Sequence, residues 1–376
     1  MEYKTIKELC DLVVDCPHST PTWTEHGKIV IRNNNIKNGR IDFTSPSFTD
    51  DEHFAQRIKR AVPKAGDIVI TREAPMGEVG MIPEGIECCL GQRMVLLRAN
   101  ERICDKHYLL YGLQSQVVQH QISWSEGTGT TVSNLRIPHL EQIRVPYVPL
   151  NQQKKISSVL YALEDKIENN RKLNDNLEQQ VSAIYQAWFE EFLLSGGSCP
   201  SRWKHGILAD IANITSGKRP PVKFLERTEN AVVPIVGAAS IMGYTSAVNH
   251  TDKILVTGRV GTHGVIQRFS SPCWTSDNTL VITSNLYEYT YQLLKRIDYH
   301  SMNRGSTQPL ITQSDMNKVP ILIPDSETLT AFELLAGQLM KQYQSNLLEN
   351  GKLAELRDTL LPKLISGAID VSNLQL

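Results

Sequence analysis

The sequence predicts an α+β protein in which two similar strand-rich domains alternate with two long helical segments. Three observations support this prediction: groups of residues recur at fixed distances, short apolar runs fill two stretches, and a sustained seven-residue apolar repeat fills a third. The strand-rich domains are placed at residues 1–150 and 198–324, and the helical spacers at 151–197 and 325–376.

The recurring residues indicate an internal duplication with pseudo-twofold symmetry. Leu9, Asp11, Leu12 and Pro21 recur 199 residues later as Leu208, Asp210, Ile211 and Pro220. Gly129-Thr130-Thr131 recurs as Gly305-Ser306-Thr307, and Asn170, Lys172 and Leu173 recur as Asn350, Lys352 and Leu353. A duplicated chain with this layout is suited to hold two similar objects at a fixed separation.

The two strand-rich domains are recognised by short apolar runs bounded by Gly, Pro and Asn, a pattern typical of short strands and turns. The runs of the first domain are Lys28–Arg32, Asp67–Thr71 and Met94–Arg98. Those of the second are Ala231–Gly237, Lys253–Thr257 and Thr279–Thr283. We expect each domain to be built mainly of short strands.

The first helical segment has the strongest periodicity. Positions spaced alternately by four and three residues form the seam of a coiled coil: Ile156, Leu160, Leu163, Ile167, Asn170, Asn174, Leu177, Val181, Ile184 and Trp188. Neither Pro nor Gly interrupts residues 151–194, which predicts a helix of roughly 60 Å. Gly196 and Gly197 are the expected stop.

A second helix follows the second strand-rich domain. Its apolar stripe consists of Phe332, Leu335, Leu339, Tyr343, Leu347, Asn350, Leu353, Leu356, Leu360 and Leu364. Gly351 weakens it and Pro362 is expected to kink or restart it. Asn170 and Asn350 occupy otherwise apolar stripes, and a buried Asn pair fixes the register of paired helices. We expect the helices to pair, although each could instead cover its own domain.

Composition excludes several classes of protein. No run approaches the roughly 18 apolar residues of a transmembrane helix, so no membrane association is expected. The beginning of the chain, Met1-Glu2-Tyr3-Lys4, does not resemble a signal peptide. Seven cysteines without a C-x-x-C pair favour neither a disulfide framework nor zinc, and a reducing cytoplasm is the expected compartment.

The net charge of −1 argues at first against a nucleic-acid partner. The charge is unevenly distributed, however. Residues 202–324 contain 13 Lys and Arg against 8 Asp and Glu, whereas residues 325–376 contain 4 against 7. A locally basic face on a neutral protein can still bind phosphates.

No catalytic constellation is found in the sequence. The segment Ser216–Arg219 resembles part of a phosphate-binding loop of the G-x-x-x-x-G-K-[ST] type. Ala212 stands where that loop has its first glycine, and Arg219 stands where it has Ser or Thr. Neither H-E-x-x-H nor G-x-S-x-G occurs. We therefore expect neither a catalytic nor a metal site, while an enzyme with an unrecognised site remains an alternative.

Several loops combine basic and hydrogen-bonding side chains that suit phosphates and base edges. The candidate DNA-binding residues are His18, Ser19, Thr20, Arg32, Asn33, Asn35, Arg72, Lys218, Arg219, Lys223, Arg259, Thr262 and His263. A structural interpretation stands beside this one, since Asn-rich loops are commonly turns, Asn38-Gly39 fits a hairpin turn, and an Arg after a strand is often salt-bridged. The glycines at 258, 261 and 264 favour close backbone approach to a ligand near Arg259.

Together these residues resemble the DNA specificity subunits of Type I restriction–modification systems over nearly the whole chain. The segments that carry the resemblance are Pro200–Trp203 with Leu208–Ile211 and Gly217–Pro220, then Val236–Ala238 with Gly243-Tyr244, Gly258–Gly264, Val319–Pro324 and Leu353–Gly367. The first strand-rich domain lacks an opening of the Pro-x-x-Trp type.

This resemblance implies two target recognition domains, each reading half of a split site in double-stranded DNA. It also implies that the two helices form an antiparallel coiled coil, which spaces the domains and docks two methyltransferase subunits. Restriction subunits with translocase activity would join them. S-adenosylmethionine, ATP and magnesium would then belong to those partners and not to this chain. The main alternative is a coiled-coil adaptor that binds proteins only.

Overall fold

A computed structural model describes residues 2–124, 134–302 and 310–372 of the chain. The chain divides into two compact units: unit 1 comprises Met1–Asn170 and Leu348–Leu376, and unit 2 comprises Arg171–Leu347. The repeated triplets at 129–131 and 305–307 lie outside the described residues. Among the described helices, none combines the length and the apolarity needed to cross a membrane.

Unit 1 contains eleven strands and five short helices among its described residues. The strands are β1 (Glu2–Thr5), β2 (Cys10–Asp15), β3 (Lys28–Ile31), β4 (Ile36–Lys37), β5 (Arg40–Ile41), β6 (Ser47–Thr49), β7 (Ile68–Thr71), β8 (Val79–Met81), β9 (Cys88–Leu90), β10 (Met94–Ala99) and β11 (Arg144–Tyr147). The helices are α1 (Ile6–Leu9), α2 (Asp51–Arg57), α3 (Lys106–Gln114), α4 (Gln116–Ser123) and α5 (Ile137–Gln142).

Two long helices and the elements of unit 2 complete the chain. The first long helix is α6 (Leu150–Tyr185). Unit 2 then has β12 (Lys204–Ile207), β13 (Asn213–Ser216), β14 (Val233–Val236), β15 (Ile241–Thr245), β16 (Ile254–Gly258), β17 (Gln267–Phe269), β18 (Trp274–Thr275), β19 (Thr279–Thr283) and β20 (Pro320–Ile323), with α7 (Tyr287–Leu294) and α8 (Gln313–Asn317). The second long helix is α9 (Ser326–Ile365).

The two units share one topology, and the six predicted strands are all present. Unit 1 has a four-stranded sheet in the order β2-β10-β7-β8, which unit 2 repeats as β13-β19-β16-β17. The sheet β6-β3-β9 recurs as β15-β14-β18, and the pair β1-β11 recurs as β12-β20. In both three-stranded sheets the central strand is antiparallel to one neighbour and parallel to the other. The duplicated α+β architecture is confirmed.

The register of the duplication differs from the offset of 199 that the sequence suggested. In unit 1 the backbone N–H of Thr5 donates to Glu8 at 2.7 Å, and in unit 2 that of Ile207 donates to Asp210 at 2.8 Å. Asp210 therefore corresponds to Glu8 and not to Asp11. The prediction was wrong because it matched identical residues, whereas the equivalent positions carry similar ones: Glu8 and Asp210, and Ile6 and Leu208.

The cores explain why the apolar runs become strands. Ile68, Ile70, Val95 and Leu97 point into one cluster of unit 1, while Val69 and Leu96 point into another on the opposite face. Strands that bury both faces are apolar at successive positions instead of alternating. Unit 2 repeats the arrangement, with Leu255 on one face of its sheet and Val256 on the other.

Both units include a segment of paired helices. In unit 1, Ile156 and Leu160 of α6 pack with Leu364 of α9, and in unit 2 Val181 packs in one cluster with Phe332. The register is antiparallel, since residues early in α6 meet residues late in α9. Pro362 lies inside α9 without ending it. Position 351 has no atom within 4 Å of where a Cβ would stand, so its glycine serves no close approach.

Asparagine pairs hold the register of these helices. In unit 1, Asn170 Nδ2 donates to Asn350 Oδ1 at 2.9 Å and to Glu349 Oε2 at 2.7 Å. In unit 2, Asn346 Nδ2 donates to Asn174 Oδ1 at 2.8 Å, and Asn174 Nδ2 donates to the carbonyl of Tyr343 at 3.2 Å. A displacement by one residue would leave these buried amides without partners.

The observed burial differs at several positions from the coiled-coil seam predicted from the sequence. Asn346 is 3% exposed whereas its neighbour Leu347, placed in the seam by the sequence, is 45% exposed. Leu335 and Leu356 are likewise exposed, and Ala336 and Met340 are buried instead. The remaining seam positions are buried or half-buried: Leu160, Leu163, Ile167, Asn170, Leu177, Val181, Tyr343, Asn350 and Leu353. Leu347 was wrongly assigned to the seam because the residue that is buried there, Asn346, is polar.

The first long helix ends before the predicted glycine stop. A π-helical turn, Gln186–Glu190, follows α6, and Phe192 adopts a left-handed conformation with φ of 54°. The wider turn shifts the buried positions, so that Tyr185 and Phe189 are buried while Ile184 and Trp188 are only partly covered. Gly196 follows a further short turn and ends no α-helix.

The start of the second long helix is held by one carboxylate. Asp325 accepts hydrogen bonds from Thr328 N at 3.1 Å, Trp203 Nε1 at 2.8 Å and Arg202 Nε at 2.9 Å. Burial acts to raise the pKa of Asp325, but these hydrogen bonds and the charge of Arg202 outweigh it and lower the pKa to about 2. The ionised carboxylate therefore stabilises the junction between α9 and the segment that precedes β12.

We expect Asn346→Ala to lower the free energy of unfolding by about 1–3 kcal/mol, because it leaves Asn174 Oδ1 buried without its donor. Urea denaturation followed by circular dichroism measures this loss. The matched control is Leu347→Ala, which should cost less than about 1 kcal/mol since that side chain is half exposed. A larger loss for the leucine variant would support the seam inferred from sequence instead.

We expect Asp325→Asn to destabilise the protein at neutral pH and progressively less in acid. Because the folded pKa lies below the unfolded value of roughly 4, the carboxylate stabilises above pH 4 and this contribution is lost as the pH falls towards 2. The difference in unfolding free energy between wild type and variant, measured by urea titration at several pH values, should shrink accordingly. A difference independent of pH would contradict this assignment.

Candidate nucleic-acid interface

In each unit several of the candidate residues lie at one edge of the four-stranded sheet. Strands β2 and β7 are both antiparallel to β10, so their last residues lie beside the first residues of β10. Cys16 N donates to Met94 O at 3.1 Å, and Arg72 N donates to Arg93 O at 2.8 Å. Three loops therefore meet at this edge, although they are far apart in sequence.

The loop after β2 carries His18, Ser19 and Thr20, all of them exposed. His18 Nε2 lies 2.9 Å from Asp15 Oδ2. Gln92, from the loop before β10, donates to the carbonyl of His18 at 2.5 Å and to Thr20 Oγ1 at 3.3 Å. The side chains of this loop are thus available on a backbone that a neighbouring loop holds.

A buried arginine supports the same loop from below. Arg57 is 7% exposed and donates to the carbonyls of Leu90, Gly91, Ser19 and Pro17 at 2.8 to 3.2 Å. Burial lowers the pKa of Arg57. Backbone carbonyls alone therefore satisfy this cation, which positions two loops of the candidate surface.

The loop after β3 contains Arg32, Asn33 and Asn35. The guanidinium of Arg32 lies 5.2 Å from the centre of the Trp23 ring and is exposed. Asn33 Nδ2 donates to Glu73 O at 2.7 Å, while its Oδ1 is buried with no partner among the described residues. Asn35 accepts from the N–H of Arg32 and donates to Asp42 O, so its amide is used to shape the loop.

Arg72 is only slightly exposed. Its side chain is 11% exposed and donates to Asp15 Oδ1 at 2.9 Å, to Leu135 O at 2.9 Å and to Asn134 Oδ1 at 3.2 Å. Direct contact with DNA would require breaking a buried ion pair. The structural interpretation, an arginine paired within the fold, therefore applies to Arg72, as does the hairpin turn at Asn38 and Gly39, where φ is 51° and 79°.

Unit 2 repeats the edge with a more basic loop. Gly217 N donates to Thr279 O at 3.1 Å, and Lys218 N donates to Thr275 O at 2.9 Å. A Cβ at Gly217 would lie 2.1 Å from Ser276 O, so only glycine allows this approach. Beyond it Lys218, Arg219 and Lys223 are exposed. Three cations on one exposed loop suit contact with phosphates.

Arg259 follows β16 as Arg72 follows β7. Its N–H donates to Asn278 O at 2.8 Å, and its side chain has no ion pair with any described residue. Thr262 is exposed, and His263 Nδ1 lies 3.2 Å from Gly258 O. A Cβ at Gly258 would lie 1.8 Å from Thr262 O. The turn itself therefore requires glycine at position 258, without any need for a ligand to explain it.

The described residues show no cluster of metal ligands, and six of the cysteines are covered by the fold. Burial raises the pKa of six thiols, those of Cys10, Cys16, Cys88, Cys89, Cys104 and Cys273, which disfavours thiolate chemistry at these positions. No group of three His, Cys, Asp or Glu residues in the described part of the chain could hold a metal ion. The arrangement suits recognition of a polyanion through exposed loops.

Two residues of the unit 1 edge were missed in the sequence. Gln92 and Arg93 lie between β9 and β10, and Arg93 is 56% exposed beside Glu73. A polar residue and a cation directly before an apolar strand were the available signal. They were overlooked because only segments that follow strands were considered, whereas antiparallel pairing brings the start of one strand beside the ends of two others.

Comparisons with known proteins assign this architecture to a family. The family model of the Type I restriction modification DNA specificity domain matches residues 1–179 and 200–357. The chain is 26% identical over 353 residues to the MjaIX specificity subunit of Methanocaldococcus jannaschii, covering 84% of this chain and 80% of the relative. It is 20% identical over 407 residues to the HindI specificity subunit of Haemophilus influenzae, covering 83% and 88%.

A solved structure shares the fold. The crystal structure of the Type I restriction–modification S subunit from M. genitalium aligns with a TM-score of 0.60 and 18% identity, covering 96% of this chain and 95% of that one. The family model matches each half of the chain separately, as the repeated sheets require. The chain therefore belongs to the family of Type I restriction modification DNA specificity proteins.

Proposed function

We propose that this chain is the sequence-specific DNA-recognition subunit of a Type I restriction–modification complex and that it reads a bipartite site. The observation that carries the proposal is the match of a DNA specificity domain to both halves of the chain. Each half presents loops from the same sheet edge, so two similar readers are available for two half-sites. A coiled-coil adaptor without DNA specificity is disfavoured by the same match.

Affinity and specificity are assigned to different side chains. Exposed Lys218, Arg219 and Lys223 supply phosphate contacts, which position the protein and make binding salt-dependent. Arg259 supplies a guanidinium that forms no ion pair with any carboxylate of the described residues and that can pair with guanine. Joining two readers in one chain makes the second contact intramolecular and strengthens binding beyond either reader alone.

The chain itself is the non-catalytic component in this proposal. Two methyltransferase subunits would dock on the helical segments, and restriction subunits with translocase activity would join them in the cytoplasm. S-adenosylmethionine would be held by the methyltransferase subunits, and ATP and magnesium by the restriction subunits. The methylated base would be flipped out of the duplex into the partner's pocket.

The helical segments would act as a ruler between the readers. Helices α6 and α9 contain 36 and 40 residues, and asparagine pairs fix their register. A rise of about 1.5 Å per residue makes helix length a direct control on half-site spacing. Half-sites one to two helical turns apart would lie roughly 34 Å or twice that distance apart.

Arg259→Ala should relax or abolish recognition of one half-site and leave the other intact. Loss of a bidentate contact should reduce discrimination at one base by about 1–3 kcal/mol. The measurement is sequencing of the sites that the assembled complex methylates in a randomised duplex library. Arg219→Ala is the comparison, since it should weaken binding to all sequences equally and lower the salt dependence. Equal damage to both half-sites by Arg259→Ala would contradict two independent readers.

A heptad inserted in both helices should lengthen the gap of the recognised site by roughly three base pairs, because seven residues add about 10 Å. The insertions lie between Asn170 and Asn174 and between Asn346 and Asn350, so both asparagine pairs are retained. An insertion in α6 alone is the control and should abolish activity by breaking the register. An unchanged gap after the double insertion would show that the helices are not the ruler.

A further inference from the structure

Each unit has an arginine at the same backbone position of its sheet edge, but the two side chains have different surroundings. Arg72 and Arg259 occupy equivalent backbone positions. Arg72 follows β7 and Arg259 follows the equivalent strand β16, and the two residues make equivalent pairs of backbone hydrogen bonds. Their N–H groups donate at 2.8 Å to Arg93 O and Asn278 O, and their carbonyls accept at 3.0 Å from Leu135 and Ile311. The backbone frame of the edge is thus duplicated, and the side chains alone distinguish the two readers.

At this shared position only one guanidinium is available. Arg72 is held by Asp15, whose counterpart in unit 2 is Ser216: Asp15 pairs with Val95 as Ser216 pairs with Leu280. A serine carries no charge to neutralise an arginine. Arg259 is therefore available to contact DNA in unit 2, while its counterpart in unit 1, Arg72, is held in an ion pair with Asp15.

A second arginine stands at the same edge of unit 1. Arg93 directly precedes β10, and its side chain is 56% exposed. Its Nε lies 3.1 Å from Glu73 Oε2, and Glu73 is 18% exposed and accepts at its carbonyl from Asn33. The contact through Nε holds the exposed side chain next to Glu73. The counterpart of Arg93 in unit 2 is the uncharged Asn278.

The backbone at Arg93 is itself unusual. Its φ of 65° is left-handed, a conformation that costs energy for a residue with a Cβ and that glycine adopts without strain. The neighbouring Gln92 ties this turn to His18 and Thr20, so the strained residue sits between two loops of the candidate surface. Strained residues of this kind are concentrated at functional sites.

We infer that Arg93, and not Arg72, is the arginine with which unit 1 reads a base of its half-site. This inference rests on the proposed function. The terminal nitrogens of Arg93 would pair with O6 and N7 of a guanine in the major groove, with Glu73 as the positioning residue. The two half-sites are then read from neighbouring positions of one duplicated frame: the turn before β10 in unit 1 and the residue after β16 in unit 2.

The test uses the full chain assembled with its methyltransferase subunits and a randomised duplex library, with methylated sites sequenced. Arg93→Gly removes the guanidinium and relieves the backbone strain, so folding is preserved. We expect it to reduce discrimination roughly 5- to 150-fold at one guanine of one half-site, the range of a lost bidentate contact. Arg93→Lys should lose most of this discrimination, because an ammonium cannot pair bidentately.

Arg102→Ala is the matched control. Arg102 is exposed beyond the opposite end of β10, and its substitution removes the same charge as Arg93→Gly. It should leave the recognised sequence unchanged. Glu73→Gln should weaken discrimination at the same base as Arg93→Gly, an effect that a purely structural role of Glu73 would not confine to one base. Arg72→Ala should lower the melting temperature through loss of its ion pair with Asp15.

The outcomes separate this inference from the proposed function. A wild-type complex that selects no bipartite sequence would overturn the proposed function. A wild-type complex that selects one, while Arg93→Gly selects the identical sequence with identical stringency, would overturn the role of Arg93 alone. Relaxation of both half-sites by Arg93→Gly would also overturn it, because the contact belongs to one reader.

Discussion

The antiparallel pairing of one central strand with two neighbours is the constraint on which the candidate surface depends. In unit 1 this strand is β10, and in unit 2 it is β19. Because both neighbours run opposite to it, their carboxyl ends and its amino end lie at one edge. Residues as distant as His18, Arg72 and Arg93 are brought together in this way. The apolar residues that bury both faces of the sheet hold these strands together beneath the edge.

The duplication preserves backbone hydrogen bonds more strictly than side chains. Equivalent amides and carbonyls close the same turns in both units, while Asp15 is replaced by Ser216 and Arg93 by Asn278. A frame closed by main-chain hydrogen bonds tolerates such exchanges, because the same backbone bonds form in unit 2 without the carboxylate of Asp15 or the guanidinium of Arg93. The fold can therefore carry two different sequence preferences in one chain, which is what reading an asymmetric site requires.

Sequence reasoning predicted most of the fold, and it chose candidate residues of which several lie together at one sheet edge. The strands followed from their apolar runs, and the pairing of Asn170 with Asn350 followed from polar residues at seam positions. Leu347 was misplaced because an asparagine, Asn346, fills the neighbouring buried position. The sequence left open whether Arg72 is exposed or paired within the fold, since its partners Asp15 and Leu135 come near only in the folded chain.

The second asparagine pair makes the two long helices non-equivalent. Asn170 meets its own repeat counterpart, Asn350, so that contact would survive if either helix met a copy of itself. Asn174 and Asn346 would not: two α6 helices aligned on Asn170 would set Asn174 against Lys166, and two α9 helices would set Asn346 against Ala354. An amide left without a hydrogen-bond partner in such a pairing costs about 1–3 kcal/mol. This cost disfavours the exchange of long helices between neighbouring molecules during folding at high concentration.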